Sequence, residues 1–275
     1  MNSGIDPDRT RRACDACKDG KAFPLPTRAA FQPILDLQEE RVFAYEALIR
    51  GIDGQSAGFV LQQVGDEQIY SFDQACRVTA IRDAVAAGII GTGAKLSINF
   101  MPNAVYSPKA CIQLTLKTAR ENGFPQDRLI FEFTENEKLD VAHIRNIVAA
   151  YRDLGFTTAI DDFGAGYAGL NLLADLQTDM VKLDMELIRG IDRDGRRRAI
   201  LESLVQLLRR LGTEIIAEGV ETEEELGVLR LFGVRYVQGY LFGKPALGTL
   251  QPYSERLRRS AVRRRHQPLE YRSAP

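Results

Sequence analysis

The strongest constraint on the fold is a regular alternation of short apolar runs with longer amphipathic stretches, which begins at Ala29. Eight of the runs have the length and composition of β-strands. They lie at residues 29–35, 42–49, 95–100, 128–134, 157–162, 179–183, 213–217 and 235–237. Helical periodicity predicts helices at residues 68–88, 109–122, 139–154, 193–211 and 222–232. Eight strands that alternate with helices predict an α/β fold of the (β/α)8 TIM-like barrel class.

The first two strands depart from this alternation. Only the polar turn 38–41 separates them, which is too short for a helix and predicts a hairpin. One barrel strand is therefore expected to run antiparallel. Ser71 and Asp73 are expected in the cap region of the first helix, whereas Thr222 with Glu225 three residues later predicts a capping box at the last helix.

Length and composition limit the class of protein. The chain has 275 residues, of which 45% are hydrophobic, and this suits one α/β barrel or two smaller domains. A net charge of -1 argues against electrostatic binding to a nucleic-acid polymer. No apolar run approaches the roughly 20 residues that span a bilayer. Four cysteines and no secretory apolar segment predict a reducing, cytoplasmic setting.

The sequence predicts a polar extension at 1–28, the barrel at 29–247 and a tail at 248–275. In the extension, Cys14 and Cys17 have the spacing of half a zinc site, but no second pair follows. A metal or redox role and an incidental or packing role both remain open for them. The tail is crowded with Arg256, Arg258, Arg259, Arg263, Arg264 and Arg265. It is either a solvated terminal helix or a docking surface for an acidic regulatory protein.

Polar side chains end the predicted strands. They include Glu46, Asn99, Glu132, Asp161, Asp162, Lys182, Asp184, Glu218 and Gln238. The carboxyl ends of barrel strands form one rim, where barrel enzymes place their sites, so we expect these side chains to lie together. Carboxylate and amide oxygens without His or Cys suit Mg²⁺ or Mn²⁺. Each acid taken alone is also compatible with a salt bridge at the rim.

Asp161 and Asp162 pose a geometric problem, because adjacent residues on a strand point to opposite faces. They need a bend or a shared ligand to act together, and the flexible segment 164–166 lies where a bend is expected. Two ions about 3.5–4 Å apart that share one carboxylate would suit in-line attack on a phosphodiester. Lys182 would then orient the attacking water or stabilise charge on the phosphate. A solvated strand end followed by an ordinary turn is the alternative.

Eight short motifs occur in the order found in one family. They are Phe31-Gln32-Pro33-Ile34, Glu46-Ala47-Leu48 followed by Ile49-Arg50, Ile98-Asn99, Glu132-Phe133-Thr134-Glu135, Asp161-Asp162-Phe163-Gly164, Val181-Lys182-Leu183-Asp184, Ala217-Glu218-Gly219-Val220-Glu221 and Gln238-Gly239-Tyr240-Leu241-Phe242. Over residues 29–247 the chain resembles the EAL family of cyclic-di-GMP phosphodiesterases. The resemblance implies a homodimeric barrel enzyme that opens cyclic di-GMP to linear pGpG with two Mg²⁺ or Mn²⁺ ions.

The same resemblance implies a role for each matching residue. One ion would be bound by Glu46, Asn99, Glu132 and Asp161. The second ion would be bound by Asp161, by Asp162 and, directly or through water, by Glu218. The implied catalytic residues are Lys182, Glu218, Asp162 and Glu135, of which Lys182 would position the water and Glu135 would hold the loop after Asp162. The implied substrate contacts are Gln32, Leu48, Arg50 and Gln238. Asp184 and Glu221 would support the site from outside.

The loop after Asp162 departs from the family's usual Asp-Asp-Phe-Gly-Thr-Gly-Tyr-Ser-Ser-Leu. Ala165 replaces a threonine, and Ala168 and Gly169 replace two serines. No metal-binding or water-positioning residue is missing, so we expect activity, with an altered rate or regulation. A receptor that binds cyclic di-GMP without cutting it and a protein-interaction scaffold are the alternative functions.

Overall fold

The computed structural model describes residues 23–134, 140–166 and 169–252. Within them, eight strands form a closed barrel: β1 (Thr27–Asp36), β2 (Arg41–Gly51), β3 (Lys95–Asn99), β4 (Leu129–Thr134), β5 (Thr157–Phe163), β6 (Met180–Leu183), β7 (Glu214–Ala217) and β8 (Tyr236–Gln238). Strands β2 to β8 follow one another in parallel pairs, and β1 closes the barrel between β8 and β2. All eight predicted strands are present, and the predicted (β/α)8 fold class is confirmed.

Strand β1 is the antiparallel member of the barrel. It pairs antiparallel with β2, which places Gln32 opposite Glu46, and antiparallel with β8, which places Ile34 opposite Gln238. A further strand, β9 (Ala246–Leu247), pairs with β1 outside the barrel. The predicted hairpin and the predicted antiparallel strand are both confirmed.

The helices described by the structure are α1 (Ala57–Leu61), α2 (Ile69–Ala86), α3 (Ile89–Thr92), α4 (Pro108–Cys111), α5 (Gln113–Glu121), α6 (Val141–Asp153), α7 (Gly169–Asp175), α8 (Met185–Ile188), α9 (Gly195–Arg210) and α10 (Glu223–Leu231). Helix is present in every stretch predicted to be helical, but the stretch 109–122 is divided into α4 and α5. Helices α1, α3, α7 and α8 were not predicted, because one or two turns are too short to show periodicity. None of the described helices is long and apolar enough to cross a membrane.

The predicted helix caps are confirmed in part. Thr222 Oγ1 accepts a hydrogen bond from Glu225 N, and Glu225 Oε2 accepts one from Thr222 N, so the capping box at α10 is present. The expected cap positions of Ser71 and Asp73 are wrong, because α2 begins two residues before Ser71. Asp73 instead forms a buried ion pair with Arg77 one helical turn later.

The larger hydrophobic core lies between the strands and the surrounding helices. An aromatic cluster fixes α6 against the barrel: the ring centroid of Phe131 on β4 is 4.9 Å from that of Tyr151 and 5.0 Å from that of Phe156. Phe156 immediately precedes β5, so these contacts hold β4 and β5 at a fixed separation.

Candidate active site

An apolar layer inside the barrel forms the floor of the candidate site. It consists of Ile34, Ala44, Ile130, Ala159, Met180, Ile216 and Tyr236, all buried. On β2 and on β4 to β8, the residue two positions nearer the carboxyl end lies on the same face and is polar. These polar residues are Glu46, Glu132, Asp161, Lys182, Glu218 and Gln238. On the antiparallel β1 the order is reversed, so Gln32 precedes Ile34. Inward-facing side chains two positions apart on the strands therefore form two stacked layers inside the barrel, a polar layer above an apolar layer.

Lys182 lies at the centre of the polar layer, with 1% of its side chain exposed. Its Nζ is 2.9 Å from Asp161 Oδ1 and 2.9 Å from Glu218 Oε1. The same atom is 3.2 Å from Glu132 Oε2 and 3.4 Å from Glu46 Oε2. One ammonium group thus faces four carboxylates. The layer has excess negative charge at neutral pH unless protons or further cations bind there.

Neutral side chains orient two of these carboxylates. Asn99 Nδ2 donates to Glu46 Oε1 at 3.1 Å, and Gln238 Nε2 donates to Glu46 Oε2 at 2.7 Å. Gln238 Oε1 is buried and has no hydrogen-bond partner within the described residues, so an acceptor remains beside Glu46. Ser97 Oγ donates to Glu132 Oε1. Ser97 was not among the predicted site residues, although the period of two along β3 places it on the same face as Asn99.

A bulge in β5 brings Asp161 and Asp162 to the same site. From Ile160 to Phe163, β5 advances three residues while β6 advances two. Asp162 has a φ of 54°, in the left-handed region that Asp tolerates better than most residues. Its N–H donates to Asp161 Oδ1 at 3.0 Å. The expected bend is present, but it begins at Asp162 itself and not in the segment 164–166.

The carboxylates form two groups that share Asp161. Oxygens of Glu46, Glu132 and Asp161 lie within 4.8 Å of one another. Oxygens of Asp161, Asp162 and Glu218 do the same. Both sets offer only oxygen ligands, which Mg²⁺ and Mn²⁺ prefer. The donor chemistry and the excess negative charge therefore fit two divalent cations with one shared ligand.

Burial and mutual repulsion change the proton affinities in this layer. Burial raises the pKa of Glu132 to about 8 and that of Asp162 to about 6, and neighbouring carboxylates add to both shifts. Burial also raises the pKa of Asp161 and of Glu218. Burial acts to lower the pKa of Lys182, but the carboxylates, Asp161 foremost, raise it well above its usual range. With a pKa of about 8, Glu132 therefore retains its proton at neutral pH, and a divalent cation bound there would displace that proton.

Four of the other expected site residues lie around a cleft of about 190 Å³ that opens onto these acids. Its lining includes Gln32, Leu48, Asp184 and Glu221. It also includes Met185, Gly219 and Tyr240, to which no role was assigned from the sequence. Only their position within or beside the quoted motifs could have indicated that these three residues belong to the site. Arg50 is not part of this lining, and its Nη1 donates to Ile49 O at 2.7 Å. Glu135 lies outside the described residues.

The two expected supporting residues act on the loops of the rim. Asp184 Oδ1 accepts a hydrogen bond from Glu186 N at 2.8 Å and so caps α8. Glu221 Oε1 accepts one from Arg189 Nη2 at 3.4 Å, across the loops that follow β6 and β7.

The fold and the site define the class to which this chain belongs: (β/α)8 barrels that gather carboxylates at the carboxyl ends of their strands. Within that class the chain is a member of the EAL domain family, whose model matches residues 27–245. The resemblance carried by the eight motifs is confirmed.

Two solved structures show the likeness in three dimensions. A standalone versatile EAL protein from Vibrio cholerae O395, in its c-di-GMP-bound form, is 47% identical with a TM-score of 0.80. The match covers 84% of this chain and 96% of that chain. Klebsiella pneumoniae BlrP1, in a complex with manganese and cyclic di-GMP, is 36% identical with a TM-score of 0.75. That match covers 83% of this chain and 58% of BlrP1.

Curated relatives include two proteins of Escherichia coli K12. The blue light- and temperature-regulated antirepressor BluF is 31% identical over 220 residues, which are 79% of this chain and 54% of BluF. The probable cyclic di-GMP phosphodiesterase PdeG is 34% identical over 255 residues, which are 89% of this chain and 48% of PdeG. The chain thus spans about half the length of these relatives.

Proposed function

We propose that this protein is a metal-dependent phosphodiesterase that hydrolyses cyclic di-GMP to linear pGpG. The observation that carries the proposal is the pair of carboxylate groups that share Asp161 at the mouth of the barrel. Several relatives are named cyclic di-GMP phosphodiesterases, and both structures described above were solved with this dinucleotide. These names support the choice of substrate.

Two ions, Mg²⁺ or Mn²⁺, would be held by the two groups. The first would take Glu46, Asn99, Glu132 and Asp161 as ligands. The second would take Asp161, Asp162 and Glu218. When bound, such ions supply Lewis-acid stabilisation of the phosphodiester charge and favour deprotonation of water.

Lys182 positions the reactants in this proposal. Four carboxylates within 3.4 Å fix its ammonium group, and its raised pKa keeps it charged. It therefore donates hydrogen bonds to the attacking water or to the phosphate, and it does not act as the base. Glu218 lies beside Lys182 at the edge of the cleft and accepts the proton of the water. The water oxygen bonds to phosphorus as the bond between phosphorus and the ribose 3′-oxygen breaks, and the leaving oxygen takes a proton from solvent while Glu218 returns its proton to solvent.

The substrate would lie in the cleft beside the acids. Gln32, Leu48 and Gln238 line it and are the proposed contacts. Arg50 lies outside this lining, so its contact with a phosphate stays a prediction. The roles of Glu135, of homodimerisation and of the arginine-rich tail also stay predictions.

A receptor that binds cyclic di-GMP without cutting it is the second candidate. One observation favours it: the relative BluF is named as an antirepressor and not as an enzyme. BlrP1 has also been solved with cyclic di-GMP and no metal ions, so binding in that protein does not require metal. The two carboxylate groups described here favour the enzyme, since a receptor has no need of both.

The test is to incubate the purified protein with cyclic di-GMP and Mg²⁺ or Mn²⁺ and to follow pGpG by chromatography. We expect the wild-type protein to form pGpG, and we expect no pGpG when EDTA is added or when the variant Glu46→Ala is used. Tight binding by calorimetry in Ca²⁺, with no product in any metal, would establish the receptor instead. If the protein neither binds cyclic di-GMP nor forms product, both candidates are overturned and the function as a protein-interaction scaffold remains.

A further inference from the structure

Glu225 makes more contacts than a helix cap requires. Its Oε2 accepts hydrogen bonds from Thr222 N at 3.2 Å and from Glu221 N at 3.1 Å, at the start of α10. Its Oε1 accepts one from Gly190 N at 3.1 Å, 35 positions earlier in the chain. The residue is only 6% exposed. A capping box satisfies amides of its own helix, so the bond to Gly190 needs another explanation.

The carboxylate of Glu225 joins the two loops that follow β6 and β7. The first loop begins at Asp184 and reaches Gly190, and the second begins at Glu218 and reaches Glu221. The loops also touch beside the acids. Gly219 has a φ of 63°, and a Cβ on it would lie 2.3 Å from Met185 Cβ. A shift of either loop is thus transmitted to the other.

Glu218 depends on this junction for its position. Its N–H donates to Leu183 O at 3.0 Å, which ties the start of the second loop to β6. Three residues later, Glu225 holds Glu221 N. Glu218 is the sole member of the second carboxylate group that β5 does not supply. The group keeps its geometry only if the loop after β7 keeps its place relative to β5.

We propose that Glu225 is a positioning residue, which holds Glu218 where it can share a cation with Asp161 and Asp162. The inference rests on the proposed function, since it gives the second carboxylate group a cation. Glu225 itself touches neither the cation nor the substrate. It acts through the backbone of the two loops, and its loss weakens the second ion site while the first, built on β2, β4 and β5, is unaffected.

The experiment counts Mn²⁺ ions bound to the full-length protein by calorimetry and by electron paramagnetic resonance. In Glu225→Ala we expect one of two ions to bind roughly 10-fold more weakly or worse, as for other residues that orient metal ligands. The KM for Mn²⁺ in hydrolysis should rise by a similar factor. Glu225→Gln keeps one acceptor oxygen, so it should lose less affinity for the second Mn²⁺ ion than Glu225→Ala. If Glu225→Ala does not fold, Glu225→Gln provides the test.

Thr222→Ala is the matched control, because it removes the other half of the capping box and leaves the bond between Glu225 and Gly190. It should bind both ions within about twofold of the wild type, although α10 loses the hydrogen bond from Glu225 N to Thr222 Oγ1. Unchanged Mn²⁺ binding in Glu225→Ala, or an equal loss in Thr222→Ala, would overturn this inference alone. Wild-type protein that binds no Mn²⁺ would overturn the proposed function and the inference together.

Discussion

At the scale of single residues, Asp161 combines two opposing properties. It is shared by both carboxylate groups, yet burial raises its pKa and makes its charge costly in the absence of cations. Asp161→Asn should therefore lower kcat by more than ~100-fold, because mutation of residues that only orient metal ligands already lowers metal affinity or activity by about 10- to 100-fold. In EDTA at neutral pH the same variant should melt at a higher temperature than the wild type.

Asp175→Asn is the control for Asp161→Asn, since the side chain of Asp175 is 51% exposed and lies outside the cleft. It should change neither kcat nor the melting temperature in EDTA. Near-normal turnover in Asp161→Asn would remove Asp161 from the metal site. A lower melting temperature in EDTA would show that its charge stabilises the fold without cations.

Lys182 supplies the positive charge that four carboxylates share, so Lys182→Met tests a positioning role against a binding role. We expect kcat to fall by about 100-fold or more and the KM for cyclic di-GMP to change only a few-fold. The variant should also melt at a lower temperature in EDTA and recover with Mg²⁺, because the carboxylates lose their counter-charge. Equal losses in kcat and in substrate affinity would make Lys182 a binding residue.

At the scale of elements, the turn after β5 carries the geometry of the second carboxylate group. Gly164 has a φ of 98°, and a Cβ there would lie 2.5 Å from Leu187 Cδ1. Gly164→Ala should destabilise the protein by about 1–3 kcal/mol. It should lower kcat about 10- to 100-fold, since small displacements of catalytic groups are costly. Urea unfolding and steady-state kinetics measure the two effects.

Gly155→Ala is the matched control for this turn. Gly155 also has a positive φ, of 82°, but a Cβ there has nothing within 4 Å, and it lies before β5, at the opposite end from the acids. Gly155→Ala should lower the free energy of unfolding by about 1 kcal/mol, because of backbone strain at the positive φ, and should leave kcat unchanged. If both variants lost activity equally, the contact between Gly164 and Leu187 would have no role in the site.

At the scale of the whole molecule, the acids couple stability to pH and to metal. A carboxyl whose pKa is higher in the folded state than in the unfolded state binds more protons in the folded state. Its contribution to the stability of the fold is therefore complete below its unfolded pKa and is lost as the pH rises through its folded pKa. The folded values are about 6 for Asp162 and about 8 for Glu132. In EDTA we therefore expect the melting temperature to fall as pH rises from about 5 to about 8.

Mg²⁺ should abolish that fall, because its ligands bind in their deprotonated form and metal affinity rises with pH. Melting curves in buffers from pH 5 to pH 8.5, with EDTA or with Mg²⁺, measure the effect. Parallel curves in the two conditions would show that the acids do not bind the ion.

Much of the architecture could be predicted because its signals are local. Strand and helix periodicity located all eight barrel strands, and the spacing of Thr222 and Glu225 predicted their capping box. The helices of four to seven residues carried too little periodicity to be seen. The start of α2 at Ile69 lies within one residue of the predicted start at 68, but the cap role expected of Asp73 was wrong. Asp73 resembles a cap residue in sequence, whereas in the fold it pairs with Arg77 in the core.

Local patterns of residues were enough to predict the order of strands and helices, the family and the polar residues at the strand ends, since each depends on residues close together in the chain. How these residues meet depends on contacts between distant parts of the fold. Barrel closure brings Gln238 to Glu46 across 192 positions, and the bulge at Asp162 aims two adjacent acids at one place. The contacts of Ser97 and of Glu225 with Gly190 arise in the same way. Such contacts depend on register and closure, which no local pattern of residues encodes.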